Sequence, residues 1–217
     1  MIMARYPTEH KAATRARILA ASERLLKRDG VVRASVEAVM REAGLTVGGF
    51  YAHFESKEDL ARQALLYGIE ESFARLMRGL DGLDDRAFVR ALISRYLAQA
   101  IDPNLEHACP LTVLLPEVAR STSTFRNEFA ARTAALLRAV EHRFPERRGF
   151  SQRYTALAVF AALSGAVAMA RAAATPRARA KIAGATEAFL VGALGLDESS
   201  RRRAPSRRRP VKSRRGV

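Results

Sequence analysis

The segment "GLTVGGFYAHFESKEDL", residues 44–60, packs three glycines, aromatic side chains, a histidine and two helix-start signals into one short span. A glycine pair lowers the propensity of any helix that carries it, so the pair must serve something other than helix stability. On a short helix started by Thr46, Phe50 and Phe54 fall four apart and face inward. Gly48 and Ala52 then face out, with Gly49 and Tyr51 at the flanks. So bare a surface lets the backbone approach a polyanion closely. The first turn offers that polyanion free N–H groups and the positive end of the helix dipole.

A helix used this way needs rigid support, and the flanking pattern predicts it. Apolar residues recur at helical spacing nearly throughout, and no segment sustains two-residue alternation, which predicts an all-α fold of about nine helices. The first runs from about Thr8 to Arg28 with Ile18, Leu19, Ser22, Leu25 and Leu26 inward, and Asp29-Gly30 stops it. Ser35 caps a second, with Val36, Val39, Met40 and Ala43 on one face and Gly44 at its close. Thr46 caps the third, which ends near Phe54. Ser56 starts a long fourth helix, with Asp59 reaching back in capping-box fashion. More helices are expected over about 85–101, 110–120, 122–143, 151–174 and 176–195. The second and third, joined by Gly44-Leu45-Thr46, form a helix-turn-helix whose latter member enters a DNA major groove.

Composition agrees with a polyanion partner but does not locate it. The 37 basic and 22 acidic side chains give a net charge of +15 over 217 residues, which favours nucleic acid or anionic membrane surfaces. Residues 197–217 alone carry nine basic and two acidic side chains, whereas residues 1–60 carry ten and eight. The single cysteine, Cys109, excludes an intrachain disulfide and a cysteine-based zinc site. The N-terminal stretch lacks the apolar core of a secretory signal. Tyr154 to Ala170 is 17 residues without a charge. It would span about 25 Å, short of the ~30 Å hydrocarbon core, so it is expected to be a buried helix, with no membrane partner and a cytoplasmic protein.

Together, "TRARILAASERLLKRDG" and "ASVEAVMREAGLTVGGFYAHFESKEDL" resemble the tetracycline-repressor (TetR) family of bacterial transcriptional regulators, over residues 14 to about 65. The resemblance implies an N-terminal three-helix DNA-binding domain followed by a larger helical bundle that binds small molecules and dimerises. Position by position, it implies that Ser35 and Thr46 contact phosphates and that Val47, Gly48 and Gly49 meet bases. Tyr51 and His53 would donate to phosphate oxygens, and Lys57 would clamp phosphate. For His53 the alternative is a residue packed at the domain seam. The sequence departs from richer readers in one respect: between Thr46 and Phe54 there is no Arg, Lys, Asn or Gln to read a base bidentately. Readout then rests on apolar contact with thymine methyls, on backbone groups and on DNA shape. A basic arm before the first helix (Arg5, Lys11, Arg15) can add minor-groove or phosphate contacts.

The expected division is a DNA-binding domain over 1–57, a ligand-binding and dimerisation domain over 58–196, and a disordered Arg-rich tail over 197–217. The middle region shows no phosphate loop, HExxH or glycine-framed serine, so an enzyme, a cofactor and a bound metal are not expected. Phe73, Met77, Phe88, Tyr96, Phe125, Phe129 and Phe160 could line a cavity. Phe73, Tyr96, Cys109 and Phe125 are the ligand-binding candidates. His107 and Cys109 could form a sensor or ligand-contacting loop, or simply a buried thiol. Helices near 151–174 and 176–195, apolar on more than one face, would form the homodimer interface, aided by Ala158, Ala162, Ala166 and Ala170. The function expected is a repressor that binds palindromic operator DNA as a dimer and responds to an unidentified small molecule. A dimeric DNA-binding regulator without that switch is the alternative. The tail would serve as a non-specific DNA tether, with a solvated idle end and an anionic-membrane patch as the alternatives.

Overall fold

The apolar stripes nearest the N-terminus bury themselves into the first of two cores. The computed structural model describes residues 5–147 and 149–197, with side chains from Glu9 onward except that of Val32. Helix α1 (Arg5–Arg33) bends at Gly30, where φ is +79° and ψ 167°. Glycine alone takes that conformation without strain, so the stop read from sequence is a break with a further helical turn beyond it. Arg5, Lys11 and Arg15 lie within α1, so the basic arm is its opening turns. The tail expected beyond Asp197 lies outside the described residues.

Helix α2 (Val36–Glu42) begins at Ser35, whose Oγ accepts from the Ala38 N–H at 3.2 Å. Next comes a 3₁₀ helix, Val47–Ala52, shorter and tighter than the expected α-helix. Helix α3 (Lys57–Met77) is capped by Ser56, which accepts from the Asp59 N–H at 3.1 Å. Asp59 reaches back as expected but one residue further, accepting from the Glu55 N–H at 3.3 Å. There follow α4 (Asp85–Ala98), a 3₁₀ turn at Leu105–His107, and α5 (Pro110–Ala119). The chain closes with α6 (Ser123–Val140), a 3₁₀ turn at Glu141–Arg143, α7 (Gln152–Ala172) and α8 (Pro176–Ala193). Among the described residues the fold is all-α, with one isolated bridge between Arg147 and Phe150.

Buried apolar residues gather into two clusters. The first joins Ile18, Leu25, Leu26, Met40, Phe50 and Phe54 to the N-terminal half of α3, and is closed by Leu114 and Val118 of α5. The second joins Leu76 and Leu80 to Phe88, Leu92 and Ile93 of α4, Val159, Leu163 and Val167 of α7, and Leu190 of α8. Helix α3 therefore runs through both cores.

Among the described residues, α7 is the one helix long and apolar enough to cross a membrane. Here it serves as a core helix, burying Ala156, Val159, Leu163 and Val167. It is not buried all round, however. Tyr154, Leu157 and Met169 of α7 and Phe189 of α8 are more than half exposed. The four-apart alanines also do not share one face: Ala158 is exposed, Ala162 half-buried, and Ala166 and Ala170 buried. Four residues turn a helix past a full circle, so such a row winds from surface to core.

Candidate functional site

The 3₁₀ helix is pinned from behind and open in front. Phe50 and Phe54 are buried, their rings stacked at 5.8 Å and 28°. A Cβ on Gly48 would meet no atom within 4 Å, while one on Gly49 would touch Met40 Cε at 3.9 Å. Gly48 thus faces open space and Gly49 lies over the core. Thr46, Val47, Tyr51 and Ala52 are exposed. Tyr51, at 76% the most exposed of these large side chains, stands edge-on to Phe50 with centroids 5.1 Å apart. Thr46 occupies the cap position with extended backbone, yet its side chain makes no cap hydrogen bond. This corrects the sequence expectation and leaves its hydroxyl uncommitted to the helix end. Ser35 and Ser56 accept at their caps, and their hydroxyls also hydrogen-bond the carboxylates of Glu37 and Glu58. The acids' own backbone N–H groups, then these hydroxyls, hold both carboxyls below their ordinary pKa.

Two arginines that sequence reading did not single out as supports hold this surface in place. Arg17 donates to the Ala43 carbonyl at 2.7 Å, closing α2. Arg15 lies 4.9 Å over the Phe54 ring and donates to Gln63 Oε1. His53 is half-buried at this seam, and its Nδ1 is buried with no hydrogen-bond partner. Burial, then the charges of Lys11 and Arg15, hold its pKa below the ordinary histidine value. Lys57 opens α3 on the same side. The arrangement can seat an anion on backbone N–H groups, hydroxyls and a local field made positive by α1.

The second feature is a cavity of about 630 Å³, a size that suits a small organic molecule. Its wall includes Phe73, Tyr96, Cys109, Phe129 and Phe160. Phe125 is not among the lining residues: it packs half-buried against the first core. Phe88 and Met77 belong to the second core instead, and Arg143 covers the Phe88 ring at 4.3 Å. The Tyr96 hydroxyl is within 3.0 Å of Ser164 Oγ, and the Cys109 N–H donates to Gln99 Oε1 at 2.7 Å. Burial pushes the Tyr96 hydroxyl well above its usual pKa and raises that of the Cys109 thiol. A thiol so raised is a poor nucleophile. His107 Nδ1 bonds Asp102 Oδ2 at 2.8 Å. Among the described residues no three His, Cys, Asp or Glu side chains converge to hold a metal ion.

A buried charged pair ties the first feature to the second. Lys27 on α1 meets Glu23 at 2.7 Å and donates to the carbonyls of Glu106 and Ala108, on the segment that carries His107 and Cys109 to the cavity wall. Gly68 of α3 makes room for it. A Cβ there would come within 2.4 Å of Glu23 Cγ and 2.9 Å of Pro110 Cγ. Neither Lys27, Glu23 nor Gly68 stands out in the sequence, because their meeting depends on contacts between α1, α3 and a loop far along the chain.

A helix-turn-helix at residues 36–52, its second member bare and outward, coincides with the family model described as "Bacterial regulatory proteins, tetR family", matched over residues 18–64. Residues 18–64 form a TetR-family DNA-binding domain. It is 35% identical over 89 residues to the "Uncharacterized HTH-type transcriptional regulator YfiR" of Bacillus subtilis, covering 41% of this chain and 42% of that protein. It is 31% identical over 121 residues to the "HTH-type transcriptional regulator TtgR" of Pseudomonas putida, covering 51% and 57%. The chain thus spans about half the length of the curated relatives it matches. Solved structures extend the likeness of fold across both cores. A TetR transcriptional regulator from Chloroflexus aurantiacus superposes with a TM-score of 0.63 at 25% identity, over 84% of this chain and 96% of that one. A TetR-family regulator from Cytophaga hutchinsonii gives 0.65 at 18% identity, over 84% and 96%. Residues 18–64 thus carry the DNA-binding helix-turn-helix of TetR-type transcriptional regulators.

Proposed function

We propose that this protein is a ligand-responsive transcriptional repressor that binds palindromic operator DNA as a homodimer and acts in the cytoplasm. The observation that carries the reading is that α3 serves both sites. It begins at Lys57 beside the bare 3₁₀ surface, and Ile69, Phe73 and Leu76 farther along it line the cavity. Residues 1–57 act as the DNA reader, 58–196 as the ligand and dimer unit, and the Arg-rich tail as an electrostatic tether. Ser35, Thr46, Tyr51, His53 and Lys57 hold phosphates, and Val47, Gly48 and Gly49 lie against base edges. The exposed apolar face of α7 and α8 suits a second copy, and a two-fold dimer matches a palindrome.

Ligand in the cavity favours a state in which the two readers are wrongly spaced for successive grooves. Two connections carry that bias: α3 itself, and Lys27 holding the carbonyls of Glu106 and Ala108. Reciprocity requires operator DNA to weaken ligand binding by the same factor.

Binding-site selection with the purified protein, followed by fluorescence anisotropy on the selected duplex with fractions of cell extract added, tests this reading. A palindromic site released by at least one fraction is the expected result. If no sequence is enriched, the DNA reader is rejected; an enriched site that no fraction releases favours a dimeric regulator without a switch.

A further inference from the structure

The cavity wall carries charge of one sign. Arg75, Arg95 and Arg153 line it, and among the described residues no aspartate or glutamate does; His107, also in the wall, is bonded to Asp102 behind it. The three arginines are exposed and stand at the mouth, whereas Leu76, Tyr96 and Cys109 are buried and form the floor. Arg95 donates to the carbonyls of Leu76 and Arg78, which fixes its guanidinium at the end of α3. Arg75 donates to Ser72 Oγ at 3.1 Å. A guanidinium has five N–H donors, so both keep several for a ligand. Among the described residues no carboxylate lies within ion-pair distance of these three arginines, although Glu23 senses the charge of Arg75 from farther off.

We infer that the cavity binds an amphiphilic monoanion: an apolar aliphatic or aromatic body bearing one carboxylate. The body packs against Phe73, Phe129 and Phe160, and the carboxylate meets the arginine rim. A carboxylate at an exposed rim keeps part of its hydration, so it escapes most of the desolvation cost of a buried ion. A cation of the same shape would face like charges with no wall carboxylate to offset them. This deepens the ligand-responsive reading, on which it rests for the consequence of binding and not for binding itself.

Isothermal titration calorimetry of the full chain, without DNA, compares dodecanoate with dodecylammonium and 1-dodecanol below micelle formation, and 2-naphthoate with 2-naphthol. At least one carboxylate should bind about tenfold more tightly than its uncharged and cationic counterparts, the effect of a charge-assisted hydrogen bond at a partly exposed site. The triple variant Arg75→Gln/Arg95→Gln/Arg153→Gln should lose that preference while still binding the apolar body, and Ala134→Trp, which fills the cavity, should lose all binding. The relative strengths of dodecanoate and 2-naphthoate identify the aliphatic or aromatic body. The inference is overturned if neither carboxylate binds, if dodecylammonium binds as tightly, or if the triple variant keeps the preference. Anisotropy on the selected duplex then separates the two readings. A carboxylate that binds yet releases no DNA leaves the ligand class standing and removes the switch.

Discussion

The two cores place their working surfaces on opposite sides of their packing. The first is filled by Phe50, Phe54 and Met40, and its chemistry lies outside, on a surface where Gly48 meets nothing. The second, where it meets Ile69, Phe129 and Leu136 of the first, leaves about 630 Å³ unfilled, and its working surface lies inside. A reader of DNA needs a rigid backing behind an empty front, because every side chain removed from the front lets backbone approach phosphate. A binder of small molecules needs the reverse, an enclosed apolar gap with polar groups at its edge. Helix α3 joins the two within one element, and on the proposed reading it is the path by which a bias at the cavity reaches the reader.

The largest effect that would sharpen this contrast comes from Phe50→Ala. Emptying a filled core should cost about 3–5 kcal/mol. Phe160→Ala, at the edge of an existing cavity, should cost less, and urea unfolding of both variants checks the difference. Equal losses would mean the first core is no more tightly packed than the second.

Lys27→Met comes next. It leaves Glu23 buried without its partner at 2.7 Å, which should lower stability by about 3 kcal/mol. Glu23→Gln also takes the carboxylate from buried Lys27, but Lys27 keeps the carbonyls of Glu106 and Ala108 and the Gln oxygen can still accept from it, so the loss should be smaller, about 1–2 kcal/mol. A similar unfolding midpoint for the two variants would show that the pair does not bind the cores together.

Gly48→Leu separates reading from folding. The position is open, so stability should shift by roughly 0.5–1 kcal/mol, mostly in the favourable direction expected on replacing a helical glycine. Affinity for the selected duplex should fall about tenfold or more, or ~1.4 kcal/mol. A correctly folded variant with undiminished affinity would refute the bare-surface account.

The smallest effect is a pH dependence. Burial raises the pKa of Glu23 above its ordinary value even with Lys27 beside it. The folded state therefore binds this proton more tightly than the unfolded one. The stability linked to it is full below the ordinary carboxylate pKa and is lost as pH rises through the raised folded value. Wild type should thus lose stability relative to Glu23→Gln, by less than about 1 kcal/mol, as pH rises from about 4 to neutrality. A difference that moves the other way would mean Lys27 outweighs burial.

Most helix boundaries were legible in the sequence, because they rest on local chemistry. Ser35 and Ser56 accept backbone N–H groups within their own segments, and Gly30 and Gly44 take the positive φ their positions require. The inward stripe of α1, with Ile18, Leu19, Ser22, Leu25 and Leu26 all buried, follows from periodicity alone. Where reading failed, competing geometry decided. The third helix tightened to 3₁₀, leaving Thr46 without a cap bond. Phe125 has the spacing of a core aromatic, but periodicity gives a helix face and not the neighbour that face meets, which proved to be the first core.

The sequence by itself determined the all-α class, the order of the helices and the bare outward face at Gly48, because caps, glycine breaks and apolar spacing act over a few residues. Only the tertiary structure decided where the cavity opens, that Arg75, Arg95 and Arg153 surround it, and that Lys27 reaches the carbonyls of Glu106 and Ala108. These are meetings of residues far apart in the chain, and the angles at which helices pack set them.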